Sequence, residues 1–334
     1  MKRQHIFLVL LLGVQVYCKG QPSKINGVSF VAARDAITQQ HVAPVLRIYS
    51  NYVALMPYCF IRTASTPKVE FNNKGAWFGE TEKGLLQYAK AFKKADIKIM
   101  VKPHLWIGRG VFTGALKPTT ETQWKLLESS YRAYIITYAK AAEQLEAELF
   151  CMGTELKQFV LHRPDYWAAL IKEIRTLYSG KLTYAANWDE YKRLSFWHEL
   201  DYIGIDAYFP LSDQKSPTLK ALEEGWSVHK KEMLGVQQKF KKPILFTEFG
   251  YRSIDYTAKK PWEYSRQQGN VNLTAQQNAL QALYNQFWTE EWFAGGFLWK
   301  WFHNQEQVGG LKNNRFTPQN KPAEELIRQL YSNQ

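Results

Sequence analysis

Two glutamates in this sequence stand where an apolar run stops. FCMGTELKQ leads out of an apolar stretch into Glu155, and FTEFGYRS does the same at Glu248. Two carboxyls that emerge into one cleft can divide acid–base labour, one giving a proton to a leaving oxygen while the other traps or stabilises an oxocarbenium-like carbon. That is the requirement for cleaving a glycosidic bond, with a carboxyl separation of ~5 to 5.5 Å giving retention and ~6.5 to 9.5 Å inversion. A single glutamate at a strand end is as readily a surface ion pair or a helix cap; a pair in one fold points to chemistry. The other polar or aromatic run-ends are His104, Asn187, Asp206 with Tyr208, and Trp299 with Trp301. Asp206 shares a face with Tyr208 in YIGIDAY but lies one inward step deeper, so it reads as a hydrogen-bond organiser or as half of a buried ion pair. Asp189, Glu190 and Asp255 fall in loop or helix-start contexts, where solvated or capping roles are expected.

Other chemistries find little footing. The histidines at 5, 41, 104, 162, 198, 229 and 303 form no HxH or HExxH spacing, so no metal site is expected. No GxSxG occurs, and no GxGxxG or GxxxxGK[ST] follows a strand, so neither a serine hydrolase nor a nucleotide cofactor is expected. The formal net charge is +13, with Lys2, Arg3 and Lys19 near the N-terminus. Lysine and arginine are scattered, with adjacent lysines only at 93, 230, 241 and 259, which argues against a nucleic-acid partner.

The elements that must position these residues alternate between short apolar strands and amphipathic helices. Strands are expected at 25–31, 52–60, 98–106, 148–155, 182–188, 201–208, 243–249 and 294–301. Helices are expected at 33–42, 81–95, 121–146, 165–178, 190–198, 218–240, 275–291 and 321–332. Thr120 with Gln123 and Thr274 with Gln277 have the form of capping boxes, and Pro164 suits a first helical turn. Eight strands alternating with eight helices predict an α/β fold, a single (β/α)8 TIM barrel, over residues 21–334. In that fold the chemistry lies at the C-terminal strand ends, where the residues above fall.

Residues 1–20 place Lys2, Arg3 and His5 ahead of the apolar run Ile6 to Leu12, the layout of a secretory signal cleaved after Gly20. The expected product is secreted or periplasmic, with a lipid-anchored form through Cys18 as the rival. No later segment is apolar for long enough to span a bilayer. Cys59 and Cys151 sit in strand-like runs and read as buried thiols or as a disulfide. Asn272-Leu-Thr274 fits a glycosylation acceptor, although Thr274 already has a capping role. The 12 tryptophans exceed the needs of a core and suggest some sugar-stacking surface.

Taken together, the strand order, FCMGTEL on the fourth strand and LFTEFGYRS on the seventh resemble glycoside hydrolase family 113 of the retaining clan A. The resemblance implies a glycan substrate, chiefly β-1,4-mannan, with Glu155 as general acid/base and Glu248 as nucleophile. By analogy with the clan, Tyr208 orients Glu248, Trp299 or Trp301 floors the sugar next to the scissile bond, and His104 and Asn187 bind hydroxyls. Lys102 and Arg252 would set carboxylate charge, Arg252 alternatively pairing on the surface. Thr154 precedes Glu155 where most of the clan has Asn, which leaves the contact to the sugar 2-hydroxyl unassigned. Another β-linked glycan (a glucan, xylan or amino-sugar polymer) and a noncatalytic glycan-binding barrel remain as alternatives.

Overall fold

The computed structural model describes residues 23–263 and 269–332. The expected leader at 1–20, Cys18 and Tyr264 lie outside them. Eight parallel strands close into a barrel: β1 (Ile25–Phe30), β2 (Tyr52–Leu55), β3 (Lys98–Val101), β4 (Leu149–Thr154), β5 (Lys181–Asn187), β6 (Ile203–Asp206), β7 (Ile244–Phe249) and β8 (Phe293–Trp301), with β8 pairing back onto β1. Outside them lie α1 (Gln39–Arg47), α2 (Glu82–Lys93), α3 (Glu121–Gln144), α4 (Lys157–His162), α5 (Pro164–Leu177), α6 (Leu219–Phe240), α7 (Leu273–Phe287) and α8 (Pro322–Ser332).

Two expected strands are cut short for the same reason. The runs 52–60 and 98–106 stop at Leu55 and Val101, shortly before Pro57 and Pro103, whose missing N–H groups cannot continue the ladder. Both chains then bend and pair again, Tyr58–Ile61 alongside His104–Ile107, in a small sheet completed by the antiparallel pair Glu70–Phe71. The coincident breaks put Lys102 and His104 on either side of a bend at the barrel mouth.

The helices deviate locally. The first begins at Gln39, capped by Thr38, and not at 33, so residues 31–38 become a loop after β1. The expected helix at 190–198 is two short 3-10 turns, Tyr191–Arg193 and Phe196–Glu199. The Thr120–Gln123 box forms, and Pro164 occupies the first turn of α5. At α7 the cap is Asn272, whose Oδ1 accepts from Ala275 N at 3.0 Å, so Thr274 lies inside the helix. Asn272 Nδ2 donates to Ser216 and Asp255, an engagement that a glycan on this amide would have to break.

Inside the barrel, Ile25, Ala54, Met100, Leu149, Cys151, Ala185, Leu245 and Phe297 form an apolar plug beneath the mouth. A larger layer between strands and helices contains Trp167, Trp197, Trp226, Trp288 and Trp301, all fully buried. Cys59 and Cys151 are free, buried thiols, which settles the choice left open above against a bond between them. Among the described residues no helix is long and apolar enough to cross a membrane.

Candidate active site at the barrel mouth

Strand register brings the polar run-ends into one layer. Asn187 on β5 is level with Asp206 on β6, and Asp206 is level with Glu248 on β7. Glu155 follows β4 directly, its N–H donating to Ala185 O at 2.8 Å. It has a φ of 53°, a left-handed conformation uncommon for a residue with a side chain. The next residue is held as well, because Leu156 N donates to the Tyr184 hydroxyl at 2.7 Å. Tyr184 in turn donates to Glu190, whose second oxygen accepts from Asn187 N. Glu190 is thus a fully buried brace behind Glu155, and not the solvated loop carboxylate its sequence context implied.

Glu248 is gripped on both oxygens. Oε2 accepts a 2.8 Å hydrogen bond from the Tyr208 hydroxyl, and Oε1 receives the Lys102 ammonium. Lys102 is fully buried and also donates to Asp206 Oδ1 at 3.1 Å. Asp206 accepts a further bond from Thr247 Oγ1 at 2.8 Å, so it organises hydrogen bonds and joins a buried ion pair at once. A buried cation shared by two carboxylates is an arrangement in which desolvation is offset only by close pairing.

These surroundings push the groups apart in proton affinity. Burial first, then the charges of Asp206 and Glu248, raise the Glu155 carboxyl well above its ordinary range, with Lys102 opposing. Burial and Glu248 raise Asp206 to about 7, against the pull of Lys102. Although burial works against its charge, Lys102 is held above the usual lysine range by Asp206 and Glu248. Burial, with help from Glu248, keeps the Tyr208 phenol protonated and therefore a donor. His104 is driven well below the imidazole range by burial, then by Lys102 and Lys300, so it stands neutral 3.5 Å from Glu248 Oε1.

The walls are aromatic. The His104 ring lies parallel to Trp299, 2° between planes, and tilts against Tyr58 at 5.3 Å. Trp188, which follows Asn187, stacks on Trp262 at 5.1 Å. Thr154 Oγ1 is buried beside Glu155 without a hydrogen-bond partner. A space bounded by a proton-holding carboxyl, a charge-matched carboxylate and flat apolar rings suits a sugar ring undergoing acid–base cleavage.

Glu155, Glu248, Tyr208, His104, Asn187, Asp206 and Trp299 all fall at this mouth, and Trp301 does not. Between the pairs Val28–Leu298 and Phe30–Trp301 the register shifts, β8 using one residue more than β1. That bulge inverts the alternation, so Trp301 turns outward into the strand–helix core, where it is wholly buried. Asn187 Oδ1 is taken up by Trp188 N at 2.7 Å, so part of this side chain shapes the strand end. Arg252 is buried, and its Nε donates to Asn314 O at 3.2 Å, holding a loop. Sequence reasoning gave too little weight to Lys102, pointed to Glu190 only as a solvated or capping carboxylate, and did not single out Tyr58, Thr247 or Tyr184. The available signal for Lys102 was a lysine ending the apolar run KIMVK just before a proline. Among the described residues no cluster of three His, Cys, Asp or Glu side chains is arranged to hold a metal ion.

A sequence model of Glycoside Hydrolase Family 113 matches residues 32–321, well over half of the chain. Among solved structures, one described as a GH113 β-1,4-mannanase is 24% identical, with a TM-score of 0.80 over 94% of this chain and 100% of that one. The GH113 β-mannanase AaManA from Alicyclobacillus acidocaldarius, in complex with ManMIm, is 22% identical, with a TM-score of 0.81 over 93% of this chain and 98% of that one. A β-glucuronidase from Faecalibacterium prausnitzii shares the fold more distantly, at 15% identity and a TM-score of 0.63 over 94% of this chain and 49% of that one. No curated protein matches the chain by sequence.

Proposed function

Since the chain belongs to glycoside hydrolase family 113 and is therefore a glycoside hydrolase, we propose that it cleaves β-1,4-linked mannan or manno-oligosaccharides by double displacement, with Glu248 as nucleophile and Glu155 as general acid/base. The observation that carries the reading is the unequal treatment of the two glutamates. Glu248 has a cation and a phenol on its two oxygens, whereas Glu155 is placed so that its proton is hard to remove.

In the first step Glu155 protonates the leaving oxygen as Glu248 attacks the anomeric carbon, forming a glycosyl ester and releasing the aglycone. Esterification removes the Glu248 charge, one of the causes that hold the Glu155 proton. Glu155 then accepts a proton from water as that water attacks the anomeric carbon, breaking its bond to the Glu248 oxygen and freeing Glu248 as carboxylate. Tyr208 and Lys102 receive the carboxylate when it leaves, so the site is ready for the next cycle. Trp299 supplies a floor for the sugar beside the scissile bond, and the unpartnered Thr154 hydroxyl is available to its 2-hydroxyl. The substrate assignment is supported by the family and by the relatives described as β-mannanases. Export through the 1–20 leader belongs to the same proposal.

The test is proton NMR of the first-formed anomer during hydrolysis of manno-oligosaccharides, with glucan, xylan and chitosan oligosaccharides in parallel. Release of β-anomer from mannan, with slower or no cleavage of the others, is expected. A first-formed α-anomer would mean inversion and would exclude a glycosyl ester on Glu248.

A further inference from the structure

Glu155 stands in a backbone conformation that its surroundings must hold. At a φ of 53° it occupies the small left-handed region, which is costly for a residue with a side chain and persists only where neighbours over-determine it. Two hydrogen bonds do so, one on each side of its Cα. The Glu155 N–H donates to Ala185 O at 2.8 Å, and the next peptide, through the Leu156 N–H, donates to the Tyr184 hydroxyl at 2.7 Å. With both flanking peptide planes held, φ and ψ of Glu155 are fixed together, and so is the direction in which its side chain leaves the backbone. β4 also uses one residue more than β5 between Cys151 and Thr154, a bulge that re-aims the chain just ahead of the carboxyl.

Tyr184 does not face the substrate. Its neighbour on β5, Ala185, belongs to the apolar plug, so Tyr184 points the other way, into the layer between strands and helices, where it is fully buried. Its ring is boxed by Trp167, Phe196 and Trp197, with centroids at 5.6, 5.5 and 6.3 Å. β4 passes it closely, since a Cβ on Gly153 would stand 3.0 Å from this ring. The hydroxyl donates to Glu190 Oε1 at 2.9 Å, while Glu190 Oε2 accepts from Asn187 N at 3.3 Å and Glu190 N donates to Asn187 O at 2.9 Å. That turn fixes where the lone pairs of the hydroxyl point. A phenylalanine would fill the same box without a polar atom, and the hydroxyl brings with it a carboxyl that burial makes costly to ionise. What the hydroxyl contributes is a partner for the Leu156 N–H, one residue after the acid/base. Lys157 Nζ meets Asp189 Oδ2 at 2.8 Å, so the same turn holds the following residue as well.

We infer that Tyr184, oriented by Glu190, is a positioning residue for the general acid/base: it pins the backbone after Glu155 and so sets where the carboxyl meets the leaving oxygen. The inference rests on the hydrolase reading above and deepens it, adding two buried residues that act through Glu155. General acid catalysis requires the carboxyl within hydrogen-bond reach of the atom it protonates, so a carboxyl displaced by loss of this grip protonates poorly while Glu248 still attacks. The loss therefore falls on leaving groups that need a proton.

The experiment compares kcat/KM on mannotetraose, whose leaving sugar needs protonation, with that on 2,4-dinitrophenyl β-1,4-mannobioside, whose leaving group does not. Tyr184→Phe should lose at least about tenfold on the oligosaccharide and no more than about twofold on the aryl glycoside. Glu190→Leu should show the same split in smaller measure, at least about threefold on the oligosaccharide. The aryl substrate and circular dichroism report that each variant folds. Azide, which attacks the glycosyl ester without a general base, should raise kcat on the aryl glycoside more in Tyr184→Phe than in the unsubstituted protein. A folded Tyr184→Phe that cleaves both substrates as well as the unsubstituted protein, or loses equally on both, would overturn the inference while leaving the hydrolase reading intact. Should Tyr184→Phe fail to fold, Glu190→Leu decides by the same ratio. If the unsubstituted protein cleaves neither substrate, the mannan reading fails, and carbon-13 NMR titration of the Glu155 carboxyl decides. Burial is the first cause that holds this proton, so a carboxyl released toward water in Tyr184→Phe should hold it less tightly, and an unchanged titration would overturn the inference.

Discussion

Replacing Lys102 by Met keeps most of the side-chain stem but removes the cation placed between Asp206 and Glu248, two buried carboxylates level with each other on β6 and β7. Breaking a buried ion pair by deleting one partner costs about 3 to 5 kcal/mol. Here a proton can substitute for part of the loss, so the cost depends on pH. Asp206 already holds its proton to about 7 with Lys102 present, against an ordinary value of 3.8. A carboxyl whose affinity is raised by folding contributes stability that is fully present below its unfolded value and is lost as pH rises through the folded one. In the unsubstituted protein that loss levels off above about 7. Without Lys102 the folded value moves higher, and the loss continues at roughly 1.4 kcal/mol per pH unit. The deficit of Lys102→Met should therefore grow by roughly 3 kcal/mol between pH 7 and pH 9. Urea unfolding followed by tryptophan fluorescence at pH 6, 7 and 9 measures it. A second substitution, Asp206→Asn, should recover much of the deficit at pH 9, because only one carboxylate then remains in the pocket. A deficit that is flat with pH, or that shrinks toward pH 9, would refute the shared-cation account.

Three further outcomes follow from the same geometry. Glu248→Ala should abolish turnover, and azide or formate should partly restore it on an activated aryl glycoside, giving an α-configured product by NMR; folded, inactive protein without rescue would count against the nucleophile. Glu155→Ala should reduce cleavage of mannan by about two or more orders of magnitude while an aryl glycoside with a good leaving group still forms the glycosyl ester at a near-normal rate in stopped-flow, since only the poor leaving group needs a proton. Equal first-step losses on both would place the acid elsewhere. Glu190 is raised to about 7, mainly by burial, so its stabilising contribution is present below about 4.5 and is lost as pH rises through 7. Glu190→Gln should accordingly gain stability relative to the parent between pH 5 and pH 8, by on the order of 2 to 3 kcal/mol in urea unfolding; no relative gain would show that the buried carboxyl does not titrate there.

The barrel was legible because its β-strands are compact apolar runs, several of them running out into a polar residue, and some of the helices between them carry recognisable caps. What escaped was set by contacts remote in sequence or by local backbone. Pro57 and Pro103 were visible, yet only their simultaneous action on two neighbouring strands creates the second sheet. The extra residue between Leu298 and Trp301 inverts the facing of Trp301, and nothing in GGFLWKW announces it. Asn272 outcompetes Thr274 as the cap of α7 because its second amide atom also finds Ser216 and Asp255. Glu190 follows a strand by three residues, so it reads as a loop carboxylate until Tyr184 and Asn187 N fold over it. Glu155 and Glu248 were found because each ends an apolar run. Lys102 was harder to weigh, since its partners lie 104 and 146 residues away.

The central claim is that Glu248 forms a covalent bond to the sugar. A 2-deoxy-2-fluoro-β-mannosyl fluoride should inactivate the enzyme with time, because its ester is slow to hydrolyse, and proteolysis with mass spectrometry should place one glycosyl unit on the peptide LFTEFGYR at Glu248. A label on any other residue, or turnover of this reagent with no glycosyl-protein formed, would contradict the account.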